Sequence, residues 1–229
     1  LSFGFIEDEM MQAEDLYGPD SALAAYHRTR AAAAYTRAIF YGQKLLEMRN
    51  PGFVEAKEDA ESMDAWLAGF EGEEDAEYLF WMGQAWMSRI NLLKDRPEYV
   101  AELFVGVKMM QKSVELDPDY SYHSGKAILG AYHARSAMAK NELVDSKKYF
   151  DEALAATEGK ALLIKVNYAT RYLCATRDKE NYVKTLNEVI EAGDTLPLQR
   201  LQNTLAKRRA RRELAAWRME ACSFDIAPE

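Results

Sequence analysis

Five of the six prolines divide the 229-residue chain into segments whose apolar residues recur every three to four positions, and the sixth, Pro228, lies in the C-terminal tail. Proline begins or interrupts helices, so each proline between two such segments marks an expected helix boundary. The prolines placed in this way are Pro19, Pro51, Pro97, Pro118 and Pro197. No segment alternates polar and apolar residues as a half-buried strand does. The sequence therefore predicts an all-α protein.

The predicted helices form four hairpins and a C-terminal capping helix, in a single domain that covers residues 1–229. We expect the acidic residues 71–75 to form a loop and a helix start, because negative charge is favourable at a helix N-terminus. We expect Asp95 to be the N-cap of the helix that begins near Pro97. The hairpins cover about 21–70, 76–116, 121–157 (helices 121–139 and 144–157) and 160–192, and the capping helix covers about 197–221.

The second helices of three hairpins share a pattern of apolar and small residues three positions apart. The pattern starts at Met110, Phe150 and Leu186, which are 40 and then 36 residues apart. Tetratricopeptide (TPR) repeats have a period of about 34 residues and carry such a pattern in their second helix. We therefore expect a TPR-like stack of about four irregular repeats. A plain antiparallel helix bundle has the same periodicity and stays an alternative.

The composition argues against several functions. A net charge of −8 disfavours nucleic acid as the main partner, because phosphate binding requires a basic surface. The three histidines and two cysteines form no metal or redox motif, and no P-loop, G-x-S-x-G or G-x-G-x-x-G occurs. We expect no cofactor, no metal site and no catalytic residue. For Cys174 and Cys222 we favour two small buried side chains over a disulfide.

Aromatic residues are concentrated in the first helices of the last three hairpins. For any one of them a place in the core is the simpler interpretation. Together, with polar residues between them on the inner face of a TPR stack, they predict a mostly apolar cavity for a small molecule. The candidate ligand-binding residues are Trp81, Gln84, Trp86, Tyr122, His123, Tyr132, Asn167, Tyr168 and Arg171.

The last predicted helix carries the basic run 207–212, Lys-Arg-Arg-Ala-Arg-Arg. Such a run is typical of nuclear localisation signals and RNA-binding arms. Leu201, Leu205, Leu214 and Trp217 form an apolar stripe on the same helix. We therefore favour a capping helix with a basic outer face.

Four stretches, in order along the chain, resemble one protein family. They are 76–86 (AEYLFWMGQAW), 114–120 (VELDPDY) with Gly125 and 129–132 (LGAY) after it, 147–154 (KKYFDEAL) and 201–211 (LQNTLAKRRAR). Their order resembles the TatT family, the T component of TPR-associated tripartite ATP-independent periplasmic (TRAP) transporters. The first 70 residues resemble the family only loosely, and residues 140–145 replace a Gly-Gly loop that is frequent in it.

The resemblance implies a periplasmic accessory protein without catalytic residues. It implies association with a TRAP-type substrate-binding protein, a pore that holds or passes a hydrophobic small molecule, and assembly as a homotrimer. The only membrane attachment that it implies is a lipid anchor on a cysteine upstream of Leu1. Two other functions stay open from the residues: a TPR scaffold that binds peptides or envelope proteins, and, with less support, an all-α enzyme.

Overall fold

The computed structural model describes residues 2–135 and 140–224, and every regular element in these residues is helical, as the sequence predicts. The chain divides into two compact units, one that ends at Tyr120 and one that begins at Ser121. The single domain predicted from the sequence stays a prediction.

The first unit contains seven helices in its described residues. The first of them precedes the earliest helix that the sequence predicts. The helices expected after Gly52 and from Pro97 are each interrupted by a short turn, so each is two helices. The seven are α1 (Ser2–Tyr17), α2 (Ala22–Arg49), α3 (Phe53–Ala56), α4 (Ala60–Leu67), α5 (Asp75–Leu92), α6 (Pro97–Val100) and α7 (Leu103–Leu116).

The ends of these helices follow local chemistry. Ser21 caps α2 by accepting a hydrogen bond from the Ala24 N–H, and Asp59 caps α4 in the same way through the N–H groups of Glu61 and Ser62. Pro97 occupies the first turn of α6, as predicted, but the N-cap of that helix is Arg96. The prediction that Asp95 is the N-cap is wrong, because Asp95 still belongs to the turn that follows α5 and the extended residue directly before α6 is Arg96.

The core of the first unit lies where α5 packs between α2 and α7. The backbones of α5 and α7 approach closely at Gly83 and Gly106, where a Cβ atom added to Gly83 would lie 2.9 Å from the Gly106 carbonyl oxygen. Three buried rings, Phe53, Trp66 and Trp86, stack edge to face or at a tilt beside this contact. Small residues therefore set the helix spacing, and aromatic residues fill the space that remains.

The second unit is also a series of packed helices. The predicted helix end at residue 139 lies outside the described residues. The helix that follows begins at Lys140, whereas the sequence predicts a start at about residue 144. The predicted capping helix is interrupted near Leu214. The elements are α8 (Tyr120–Ala134, which begins on the last residue of the first unit), α9 (Lys140–Ala156), α10 (Leu162–Asn167), a π-helical segment (Tyr168–Leu173), α11 (Lys179–Glu191), a 3₁₀ turn (Pro197–Gln199), α12 (Arg200–Glu213) and α13 (Ala216–Ala221).

Asn203 of α12 joins three parts of the second unit. Its side-chain oxygen accepts a hydrogen bond from the Leu162 N–H at the start of α10, and its amide group donates to the Lys160 carbonyl and the Thr195 hydroxyl. Asn203 is 5% exposed. It thereby satisfies backbone groups that the start of α10 would otherwise leave buried without partners.

A disulfide joins Cys174, which follows the π-helical segment, to Cys222 after α13. Our preference for two unpaired buried cysteines is therefore wrong. The two residues are 48 positions apart in sequence, and helix packing brings their Cα atoms to 5.0 Å. Nothing in the local sequence around either cysteine specifies that distance.

Candidate functional site

A groove of about 340 Å³ runs between α2 and α5 in the first unit. Gly42 keeps the two helices close, because a Cβ atom added there would lie 2.6 Å from the Met82 Sδ atom. The lining is mainly apolar, with Glu77 as the only carboxylate among the lining residues. These residues are Ala38, Gly42, Leu45, Leu46, Glu77, Tyr78, Trp81 and Met82.

Trp81 lines this groove and is 44% exposed, which is unusual for a tryptophan on a packed helix. Its indole N–H donates a hydrogen bond of 2.9 Å to the Tyr120 hydroxyl. The Tyr120 ring packs edge to face on Phe80. The indole orientation is therefore fixed by a polar contact on one side, while part of the ring remains accessible.

The Tyr120 hydroxyl is held in its neutral form. Burial raises the pKa of Tyr120 to about 12, and a hydrogen bond with the Glu77 carboxylate also raises it, while the Trp81 indole opposes the shift. Trp81, Tyr120 and Glu77 thus form a short hydrogen-bonded network beside an apolar surface. Such a surface with one acceptor group can bind an apolar molecule and orient a donor group on it.

The other two candidate residues of the first unit lie elsewhere on α5. Gln84 is half-buried, and Trp86 is 2% exposed within the core, where its ring contacts Phe53. Within the described residues, the Trp86 Nε1 atom and the neighbouring Arg89 Nε atom are buried without a hydrogen-bond partner. Arg89 packs over the rings of Trp86 and Tyr99, and its nearest acid, Glu102, is 3.7 Å away.

Three candidate residues of the second unit lie on α8. Tyr122 and His123 belong to its first turn, which is left-handed: φ is 51° at Ser121, 56° at Tyr122 and 60° at His123. Residues other than glycine adopt this conformation at a cost of about 1–2 kcal/mol each, and strain of this kind is concentrated at functional sites. Tyr132, further along α8, stacks its ring against the Arg135 guanidinium at 4.6 Å.

The remaining candidates lie at the π-helical segment. Tyr168 begins it, Arg171 is exposed within it, and Asn167 precedes it. The Tyr168 ring contacts Phe150 edge to face and stacks on Tyr172, and burial raises the pKa of Tyr168. π-Helical turns are rare and frequent at functional sites. The nine predicted residues thus lie in both units, and one site formed by all of them stays a prediction.

Sequence reasoning missed the whole α2 side of the groove. Ala38, Gly42 and Leu45 lie on α2, for which no candidate was predicted. The available signal was the spacing of these small and apolar residues, which places them on one face of the helix. Tyr78 of α5 also lines the groove, and it is not among the nine predicted residues.

Within the described ranges, no group of three or more histidine, cysteine, aspartate or glutamate side chains could hold a metal ion. The same residues include no helix that combines the length and apolarity needed to cross a bilayer.

These features define an all-helical protein with an apolar surface groove. The family model for the TRAP transporter T-component, TAtT, matches residues 2–219. The chain belongs to this family and is a component of a TRAP transporter. This confirms the resemblance identified from the sequence, and the match includes residues 2–70, which the four stretches do not cover. Membership in a transporter family points to a non-enzyme. No match to the chain was found among curated proteins.

Proposed function

We propose that the chain is a periplasmic accessory component of a TRAP uptake system that binds a hydrophobic small molecule and a TRAP-type substrate-binding protein. The proposal that the protein binds a small molecule rests on the groove between α2 and α5, which is mainly apolar and has a half-exposed tryptophan in its lining. Its volume of about 340 Å³ lies within the range of small-molecule sites.

The disulfide supports the periplasmic location. Disulfides such as Cys174–Cys222 form and persist in oxidising compartments, including the bacterial periplasm, and are rare in the cytosol. We further propose a lipid anchor upstream of Leu1, assembly as a homotrimer, and a TPR-like order of the helical pairs with α12 and α13 as the cap. Family membership supports these proposals.

The ligand half is tested by native mass spectrometry of the purified protein. We expect a bound apolar molecule, such as a fatty acid or another lipid, and we expect its occupancy to fall when Trp81→Ala removes the indole from the groove. Trp217→Ala is the matched control, because Trp217 is a comparably exposed tryptophan on α13. A protein without bound ligand, or equal occupancy in both variants, contradicts the proposal.

The partner half is tested separately by isothermal titration of the protein with the purified substrate-binding protein of the same transporter. We expect saturable binding, and an absence of heat and of co-elution on gel filtration argues against a direct complex.

Uptake measured in cells should fall with Trp81→Ala if the ligand groove contributes to transport, and should be unchanged with Trp217→Ala.

A peptide-binding scaffold is the second candidate, and a polar cleft favours it. The cleft lies between α4 and α7 and is lined by Asp64, Lys108, Lys112 and Glu115, among others. Its two lysines already pair with acids of the same cleft, Lys108 with Asp64 and Lys112 with Glu115. This internal neutralisation makes the cleft a weaker site than the apolar groove. Peptide binding that is lost on Lys108→Ala and kept on Trp81→Ala would favour the scaffold.

A further inference from the structure

The side of α2 that faces away from the core exposes six large apolar residues: Leu23, Tyr26, Phe40, Tyr41, Leu45 and Met48. Each is at least 43% exposed. We call this side the outer face of α2. By the period of an α-helix it lies opposite the buried residues of α2, and it extends for about 38 Å. The residues form two groups on this face, Leu23 and Tyr26 near its N-terminal end and four between Phe40 and Met48. Single exposed apolar residues are ordinary on a protein surface, but several large ones grouped on one face of a helix mark an interaction surface.

Three cations lie along the same face, each over an aromatic ring. Arg30 lies 5.5 Å from the Tyr26 ring, Arg37 lies 5.8 Å from the Tyr41 ring, and Lys44 lies 4.4 Å from the Phe40 ring. Arg30 also pairs with Glu9. Arg37 and Lys44 form no ion pair with any residue that the structure describes.

The outer face of α2 offers no carboxylate of its own. The only acidic residue in the sequence of α2 is Glu47, and its carboxylate accepts hydrogen bonds from the backbone N–H groups of Gly52 and Phe53. The whole chain, by contrast, carries 37 acidic residues and a net charge of −8. The basic character of the face is therefore local.

Cations interleaved with aromatic and aliphatic side chains on one helical face match the interface of an anionic membrane. In that setting the apolar groups enter the boundary between headgroups and acyl chains, while arginine and lysine extend to the phosphates. A long face formed by one helix offers a peptide neither a groove nor a sheet edge, so it fits a planar surface better. The acidic net charge of the chain disfavours nucleic acid.

We propose that the outer face of α2 binds the surface of membranes that contain anionic phospholipids. The contact positions α2, and with it one wall of the apolar groove, at the headgroup layer. It acts in addition to any lipid anchor, and it does not depend on the proposed ligand or partner protein.

The test is co-sedimentation of the unlipidated chain with vesicles of phosphatidylcholine, with and without one third phosphatidylglycerol. We expect binding to the anionic vesicles that weakens with salt. Replacing both unpaired cations, Arg37→Glu with Lys44→Glu, should weaken it by at least about 20-fold, since each cation near an anionic surface contributes about 5-fold. Tyr41→Ser with Met48→Ser keeps the charge and should also weaken binding.

Lys94→Glu with Lys184→Glu is the matched control. Both lysines are exposed, lie outside α2, and form no ion pair within the described part of the chain. The control changes the net charge equally and should keep vesicle binding within about 3-fold of the wild type. Circular dichroism checks that every variant folds.

Three results would overturn the proposal. One is an absence of wild-type binding to anionic vesicles at low salt. Another is an equal loss of binding in the control variant, which would make net charge the cause. The third is vesicle binding as tight as that of the wild type by the variant with Arg37→Glu and Lys44→Glu. If that variant instead loses self-association on gel filtration or binding to the substrate-binding protein, the outer face of α2 is a protein-binding surface.

Discussion

Removing the Cys174–Cys222 disulfide should destabilise the second unit strongly. The bond closes a loop between residues 48 positions apart, and both cysteines lie at the edge of the hydrophobic core of that unit. Restricting the unfolded chain over such a loop contributes about 4 kcal/mol at 25 °C by the chain-entropy relation. Cys174→Ser, Cys222→Ser and the double variant all break the same bond, so the three should lose similar free energies of unfolding.

The assay is guanidinium unfolding followed by circular dichroism, with the wild type measured oxidised and after reduction. We expect the reduced wild type to unfold like the double variant. Ala175→Ser is the control, because Ala175 is a half-buried neighbour of Cys174 outside the cross-link. The reasoning fails if the double variant stays within about 1 kcal/mol of the oxidised wild type, or if two free thiols titrate in wild-type protein purified without reductant.

Three further predictions concern helix contact, backbone strain and pH. Gly83→Ala should destabilise the first unit by about 1–3 kcal/mol, because the added methyl group would meet the Gly106 carbonyl and force the two helix backbones apart; chemical denaturation measures the loss. Ser121→Gly should stabilise the protein by up to about 1 kcal/mol, because glycine adopts the left-handed turn without strain; thermal unfolding measures the gain. The raised pKa of Tyr120 makes the folded protein retain a proton that the unfolded chain loses, so stability should fall as the pH rises from about 10 to about 12. Denaturation at pH values across this window should show a smaller fall in Tyr120→Phe.

Each of these predictions has a control with a different expected result. Gly42→Ala should cost less than Gly83→Ala, because the obstacle at Gly42 is the flexible Met82 side chain. Ser88→Gly, inside α5, should lower stability, which is the opposite of Ser121→Gly. Tyr17→Phe, at an exposed position, should keep the alkaline fall of the wild type. Agreement between any variant and its control would contradict the corresponding explanation.

The helical class and most breaks between helices could be predicted from the sequence because their causes are local. Proline placement and apolar periodicity act within one turn, and the predicted start of α5 in an acidic stretch is confirmed at Asp75. The π-helical segment and the left-handed turn at Ser121 could not be predicted, since neither contains a glycine or another local signal. The packing around them determines these conformations.

The disulfide and the groove depend on contacts between distant segments. Cys174 and Cys222 pair only because helices of the second unit bring them together. Trp81 was predicted as a ligand-binding residue from its place on a first helix, and it does line a groove. The opposite wall, with Gly42 and Leu45, belongs to α2, and no sequence pattern indicates which helix packs against α5. Of the lining residues on α5, only Trp81 was among the predicted candidates, and the α2 wall required the fold.

Quenching of tryptophan fluorescence by a brominated fatty acid tests the proposed ligand site most directly, because bromine quenches only indole rings that lie close to it. We predict saturable quenching in the wild type that is largely lost in Trp81→Phe and kept in Trp217→Phe, since Trp81 lines the apolar groove and Trp217 lies on α13. Quenching that does not saturate, or that persists unchanged in Trp81→Phe, would contradict an apolar ligand in this groove.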